Sequence, residues 1–208
     1  MSDRPLTVRR VWPDAGLDIP VTDAAALRAL YLAPEPDWLR VNLVVSLDGS
    51  AVGPDGTSTS ISTGADRAVL KAIRAESDLV LVGAGTLRAE PELIPRTTRL
   101  GVLSRSGDLG GAVLRPDDVV LDALPPRRGR IVCEGGPSVV RQLLDAGRVD
   151  EICLTTSPVI VGGAPLPVFG GAVADGFALR QLLVDEVGAS YASFVSQSRI
   201  APSQRVGS

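Results

Sequence analysis

Four apolar residues in succession, Leu79-Val-Leu-Val82, run straight into Gly83-Ala-Gly85-Thr86 and then into the charged segment Arg88-Ala-Glu90-Pro91. No other stretch restricts the fold as much. A run this apolar reads as a strand buried on both faces, which places it inside a parallel sheet covered by helices. In open α/β sheets, ligands bind in the crevice outside the C-terminal ends of such strands. Glycine lets the backbone approach a ligand closely, and the helical turn that follows offers free N–H groups to a phosphate. The dinucleotide fingerprint GxGxxG is not met, because Arg88 stands at the place of the third glycine. A ligand-binding turn and a plain strand-to-helix turn both fit these residues.

The rest of the chain alternates in the same manner. Thr7–Trp12 predicts a short strand, and Thr22 or Asp23 caps a helix to about Leu32 with Ala26, Leu27, Leu30 and Tyr31 inward. Leu39–Ser46 predicts a central strand, closed by Leu47-Asp48-Gly49 and a loop to Ser60. Thr63, with Asp66 three residues on, predicts a capping box for a helix whose core face is Val69, Ala72 and Ile73. Arg67, Lys71 and Arg74 line another side of that helix, either as a solvated face or with Arg74 reaching an anionic ligand.

Further strands are expected at Arg99–Ser104, Asp118–Leu121, Arg130–Glu134 and Val149–Ile160. Gly135-Gly136 and then Pro137 open a helix with Val139, Val140, Leu143 and Leu144 on one face and Gly147 as its stop. That diglycine is a second ready anion site. Phe177–Val187 and Ser190–Ile200 bracket Gly188 as a closing antiparallel hairpin. The expected architecture is therefore α/β, with a mostly parallel central sheet flanked by helices and an antiparallel C-terminal hairpin. Both glycine turns then fall on one rim of the sheet. Residues 1–200 form a single domain and 201–208 a disordered tail.

Composition removes several chemistries. The chain has no histidine, which excludes Ser-His-Asp and Cys-His nucleophilic catalysis and every histidine-containing metal site. Cys133 and Cys153 lie in separate apolar segments and read as buried, reduced thiols suited to the cytoplasm. The N-terminus has no apolar stretch for secretion. A net charge of −3 gives no reason to expect nucleic acid or an anionic membrane as partner. Residues 152–174 carry no charge, but their prolines and glycines break any spanning helix, so they read as a strand and an apolar loop. Lys71 is the only lysine; every other basic residue is an arginine, the forked donor suited to phosphates.

Taken in order, Asn42-Leu-Val-Val-Ser46-Leu47-Asp48-Gly49, the serine-rich loop into Thr63-Gly64, Arg74-Ala75-Glu76-Ser77-Asp78, Val82-Gly83-Ala84-Gly85-Thr86 and Glu134-Gly135-Gly136-Pro137 resemble one family. It is that of the riboflavin-pathway pyrimidine reductases, the reductase domains of bifunctional deaminase-reductases and their stand-alone relatives. The resemblance runs from about Trp38 to about Val195 and implies a dihydrofolate-reductase-like fold. It also implies NADPH as cofactor and reduction of the ribosyl side chain of 5-amino-6-(5-phosphoribosylamino)uracil to ribityl.

The same resemblance assigns roles. Thr86 and Glu90, with Gly83 and Gly85, take the cofactor's pyrophosphate side and nicotinamide region, and Gly135, Gly136, Pro137 and Ser138 wrap its phosphates. Ser104-Arg105-Ser106 resembles the segment that grips the 2′-phosphate in dihydrofolate reductases. Ser60 stands where the family carries a cofactor-side tryptophan, and Glu90-Pro91 replaces an Asp-Asp-Pro run. Ser58, Arg74, Leu93, Arg96 and Glu134 fall at substrate positions, with Arg74 and Arg96 on the terminal phosphate. The span between Ser104 and Arg130 is too short for the strand and helix that relatives carry there. Asp48 reads either as a turn residue or as a catalytic group orienting a proton donor, beside Glu134. A homodimer is expected from the apolar Val149–Ile160 and Phe177–Val187 strands, whose edges and faces need cover. Two alternatives stand beside this one: a same-fold reductase of another pterin or pyrimidine, including a weak dihydrofolate reductase, and a non-catalytic nucleotide-binding paralogue.

Overall fold

A computed structural model describes residues 6–163, 166–169 and 176–200. The strands are β1 (Thr7–Trp12), β2 (Asp18–Pro20), β3 (Trp38–Val45), β4 (Leu79–Gly83), β5 (Arg99–Leu103), β6 (Val119–Leu121), β7 (Arg130–Cys133), β8 (Glu151–Thr156), β9 (Phe177–Asp185) and β10 (Ser190–Ser196). The helices are α1 (Ala24–Leu30), α2 (Asp66–Ala75), α3 (Ala84–Ala89) and α4 (Pro137–Asp145). All ten strands join one sheet in the order β2-β1-β9-β10-β8-β3-β7-β4-β5-β6. From β8 to β6 the neighbours are parallel; β10, β9, β1 and β2 extend the other edge antiparallel. The dihydrofolate-reductase-like architecture expected from the sequence is the one observed.

Alternation along the strands divides the core between two faces. In β4, Val80 and Val82 pack with Leu27 of α1, Val69 and Ile73 of α2 and Leu87 of α3. Leu81 packs on the opposite face with Ile131, Cys133 and the Val139, Val140, Leu143 and Leu144 face of α4. Helices thus cover both faces of the parallel half. A charged cluster pins β3 to β8: Glu151, 1% exposed, accepts from Arg40, from Trp38 Nε1 at 2.8 Å and from Ser193 Oγ. Cys133 and Cys153 are free and buried, and burial pushes both thiols up to about 12, so neither supplies a thiolate near neutral pH.

Four expectations are corrected. Thr63 and Asp66 form no capping box. Helix α2 begins at Asp66 with Ala65 at its cap position, and Ala65 N–H donates instead to Asp185 Oδ2 at 3.0 Å and Tyr191 Oη at 2.8 Å. The strand expected over Val149–Ile160 stops at Thr156, because Ser157 turns back to donate to Val45 O at 2.8 Å and Pro158 has no N–H to continue the ladder. Residues 197–199 leave the hairpin as a short 3₁₀ turn. The edges of β8 and β9 are already paired within the chain, β8 by β3 and β10, β9 by β10 and β1. Only their faces are left for a partner.

Between β5 and β7, a span expected to be too short for both a strand and a helix, the expected short strand is present as β6 and residues 104–118 contain no helix. The loop is instead fastened by a buried carboxylate. Asp118 accepts from Arg115 at 2.8 Å and from Leu100 N–H at 2.8 Å, while Arg115 reaches on to the carbonyl of Arg96 at 2.7 Å. The tail from 201 to 208, like residues 164–165 and 170–175, lies outside the described residues.

Candidate active site

Because β4 and β7 are adjacent and parallel, their C-terminal turns meet side by side: Gly83 N–H donates to Gly135 O at 2.8 Å. Gly135 holds φ at +106°, a region closed to residues with a Cβ. A Cβ on Gly136 would lie 2.9 Å from Thr86 Oγ1. These backbones touch because they carry no side chains. Helices α3 and α4 start from this junction with Gly83 and Gly136 at their cap positions, and neither has a side-chain cap. Their first amides are therefore offered to whatever occupies the rim.

The rim opens into a cleft of about 720 Å³. Its walls are the end of β3, the loop with Ser58, Thr59 and Ser62, the first turn of α2, the β4–α3 and β7–α4 turns, Ser104–Ser106 and Leu166 with Val168. Glu90 is 6% exposed and accepts from Ser58 N–H at 2.6 Å, Ser58 Oγ at 2.8 Å and Thr59 N–H at 3.3 Å. The expected cofactor acid and the expected substrate serine are thus one hydrogen-bonded unit. Glu134 lines the cleft and is gripped by Arg74 in a two-pronged pair, Nε at 2.7 Å and Nη2 at 2.6 Å. The two side chains are 15% and 11% exposed, a setting in which each charge depends on the other. Ser104 Oγ accepts from Gly107 N–H at 3.1 Å and shapes the turn that presents the exposed Arg105 to the cleft.

The structure brings together Gly83, Gly85, Thr86, Glu90, Ser104, Arg105, Gly135, Gly136, Pro137, Ser138, Ser58 and Glu134. Others lie apart. Arg74 is not on the wall but behind Glu134, so the arginine expected at a phosphate is occupied by a carboxylate. Arg96 is exposed off the cleft. Ser60 is turned away, donating to Asp55 at 2.7 Å. Leu93 lies in a 3₁₀ turn, Pro91–Leu93, and its side chain is outside the described residues. Asp48 is a turn residue after all: Ser46 Oγ, Gly162 N–H and Val161 N–H donate to its carboxylate and hold it at about 2. It ties the loop after β3 to the loop after β8 and does not line the cleft.

Sequence reasoning missed Ser62, Asp66 and Arg67, all on the cleft wall. Asp66 is 9% exposed and receives Ser62 Oγ at 2.6 Å; Arg67 is exposed and donates to Thr59 Oγ1 at 3.3 Å. A signal for them existed. In a β-α-β unit with parallel strands the helix starts on the rim where the first strand ends. The first turn of α2, not its last, therefore belongs to the cleft, and the basic stripe touches the site through Arg67 and not through Arg74.

Among the described residues no helix is long and apolar enough to cross a membrane, and no cluster of three carboxyl, thiol or imidazole groups could hold a metal. A family model described as the RibD C-terminal domain matches residues 37–106 and 114–192. The riboflavin biosynthesis protein RibD of Mycobacterium tuberculosis is 29% identical over 152 residues, 62% of this chain and 44% of that protein. The chain thus spans less than half the length of that curated relative. Among solved structures, a pyrimidine reductase-like protein from Corynebacterium diphtheriae superposes with a TM-score of 0.67 at 21% identity, over 82% of this chain and 98% of that one. Dihydrofolate reductase from Enterococcus faecalis, complexed with NADP(H), superposes with a TM-score of 0.54 at 14% identity, over 78% and 98%.

Proposed function

We propose a reductase function from one premise: the chain belongs to the RibD C-terminal domain family. On this reading it reduces the ribosyl side chain of 5-amino-6-(5-phosphoribosylamino)uracil to ribityl, with NADPH as reductant. The observation that carries the reading is the side-chain-free junction of Gly83, Gly135 and Gly136 against Thr86, a cradle that any Cβ at 136 would fill. Such a cradle suits a pyrophosphate laid across two uncapped helix starts. Gly135–Ser138 and Thr86 hold the cofactor's phosphates, and Arg105 takes a 2′-phosphate. A nicotinamide bound along this wall supplies the hydride; the protein's task is to position the acceptor carbon and keep water out.

The chain's own residues do that work. Glu90, at the C-terminal end of α3, fixes the Ser58–Thr59 loop against that helix. Glu134, oriented by Arg74, accepts from the sugar's hydroxyls. Asp48 fastens two loops at the cleft's mouth, where Ala51 N–H also donates to Leu166 O at 2.9 Å. The test is NADPH oxidation with this substrate, followed by absorbance, together with growth rescue of a riboflavin auxotroph. Turnover with rescue supports the reading; NADPH binding with neither overturns it.

A homodimer belongs to the same proposal. One register row places Trp12, Leu182, Ala192 and Leu154 side by side across four strands, and the next places Leu179, Phe194 and Ile152. Trp12 is 49% and Leu179 38% exposed. Light scattering at micromolar concentration should give twice the chain mass. The cytoplasm is the proposed location, where the buried thiols stay reduced.

A further inference from the structure

The acids on the cleft wall are not equivalent. Glu134 is neutralised by Arg74, Glu90 takes three donors from Ser58 and Thr59 on its Oε1, and Asp122 is exposed after the edge strand β6. Asp66 differs from all three. It is more than nine-tenths buried and forms no ion pair among the described residues; its one side-chain hydrogen bond comes from Ser62 Oγ to Oδ2. No buried side-chain oxygen among the described residues lacks a partner, so Oδ1, which has none among those residues, opens to the cleft. A carboxyl so enclosed is costly to leave without donors, so a ligand that displaces water from this wall must supply them.

The chemistry of the pair is specific. Ser62 has committed its only proton to Asp66, so its oxygen faces the cleft with lone pairs alone. Asp66 Oδ1 is likewise an acceptor. Two adjacent acceptors with no donor match a ligand edge carrying two adjacent N–H groups and reject one carrying carbonyls. We propose that Asp66 and Ser62 read the vicinal amino nitrogens of the pyrimidine ring, the 5-amino group and the 6-amino nitrogen that bears the sugar. The inference rests on the reductase reading above and names the part of the cleft that selects the ring.

The experiment is calorimetric titration, with the oxidised cofactor present, of 5-amino-6-(ribitylamino)uracil and of its analogue lacking the 5-amino group. Wild type, Asp66→Asn and Ser62→Ala are compared, with melting temperature and cofactor affinity as controls for folding. Asp66→Asn replaces one acceptor oxygen by a donor. It should weaken the 5-amino compound roughly tenfold to a hundredfold and the analogue far less, the size expected for losing a hydrogen bond to a charged acceptor. Ser62→Ala keeps the carboxylate and should give a smaller loss in the same direction. Should Asp66→Asn fail to fold, Ser62→Ala alone decides. Equal losses for both compounds, or no loss, overturn the inference while leaving a turning-over wild type as a reductase. A wild type that neither binds these compounds nor reduces the ribosyl substrate overturns the reductase reading, and the inference with it.

Discussion

One wall of the cleft is made of backbone and the other of side chains. On the backbone wall, Gly83, Gly135 and Gly136 meet main chain to main chain, and their positions follow from two parallel neighbouring strands. On the opposite wall, Ser58, Ser62, Asp66, Arg67 and Glu134 come from a loop, a helix start and a strand end, and Ser58 and Glu134 are set by partners far away in sequence, Glu90 and Arg74. A wall of backbone tolerates little variation and shows itself as glycines at strand ends. A wall of side chains can exchange one arginine for another without any mark in the sequence.

The largest expected effect tests whether Arg74 belongs to the second wall or supports it. Removing one partner of a nearly buried pair leaves a stranded charge, so Arg74→Ala should cost about 3 kcal/mol of folding stability in urea titration. The double variant Arg74→Ala/Glu134→Gln should recover more than half of that. If Arg74→Ala is as stable as wild type and loses activity only on phosphorylated substrate, Arg74 reads the phosphate and the contrast between the walls narrows.

Next is the backbone wall. At a φ of +106°, Gly135→Ala forces a strained conformation costing roughly 1–3 kcal/mol. NADPH affinity should fall at least tenfold while affinity for the pyrimidine product, measured separately, changes less than threefold. Equal losses would mean the two walls are one cooperative unit.

These two predictions mark how much was legible in the sequence. Strands, helices and glycine turns were, because apolar runs and glycine punctuation report local backbone requirements. The sheet's parallel half and the gathering of ten of the residues expected at a cofactor into one cleft followed from them and from the family resemblance. The cap of α2 was not legible: Thr63 and Asp66 have capping-box spacing, but Thr63 Oγ1 pairs with Ser157 Oγ, 94 residues away, at 2.9 Å and Asp66 takes Ser62 Oγ instead. The overlong Val149–Ile160 strand failed because an apolar run does not show where pairing stops, and Pro158 to Ile160 leave the ladder for a more exposed loop. Arg96 and Ser60 went astray because motif position fixes a Cα, not a side-chain direction.

A smaller effect tests the clip that replaces the helix between β5 and β6. Burial raises the Asp118 carboxyl, but the Arg115 side chain and the amides of Leu100 and Arg115 outweigh it and hold the group at about 2, against an ordinary 3.8. The folded value is the lower one, so the contribution is whole above pH 3.8 and disappears as pH falls through 2. It amounts to about 2 kcal/mol. Asp118→Asn should remove that part of the acid dependence of the melting temperature; an unchanged acid profile would show that the clip is decorative.

The smallest effect separates two exposed arginines. Arg105→Ala should weaken NADPH about tenfold and leave NADH nearly unchanged, as expected for one exposed, charge-assisted contact to a 2′-phosphate. Arg96→Ala, off the cleft, should alter neither cofactor affinity nor turnover. Identical losses for NADPH and NADH in Arg105→Ala would remove Arg105 from the proposed cofactor site.

The cap that Asp185 places on Ala65 also sets an order of events during synthesis. Everything needed for the backbone wall, through α4, has been made before Asp185 leaves the ribosome. Helix α2 by then has its apolar face packed but its first turn unfinished, because the carboxylate and the Tyr191 hydroxyl that complete it arrive with the last hairpin. Contacts so distant along the chain form late. The backbone wall is thus complete in the nascent chain before the first turn of α2 is, and the hairpin that finishes that turn is also the one that closes the fold.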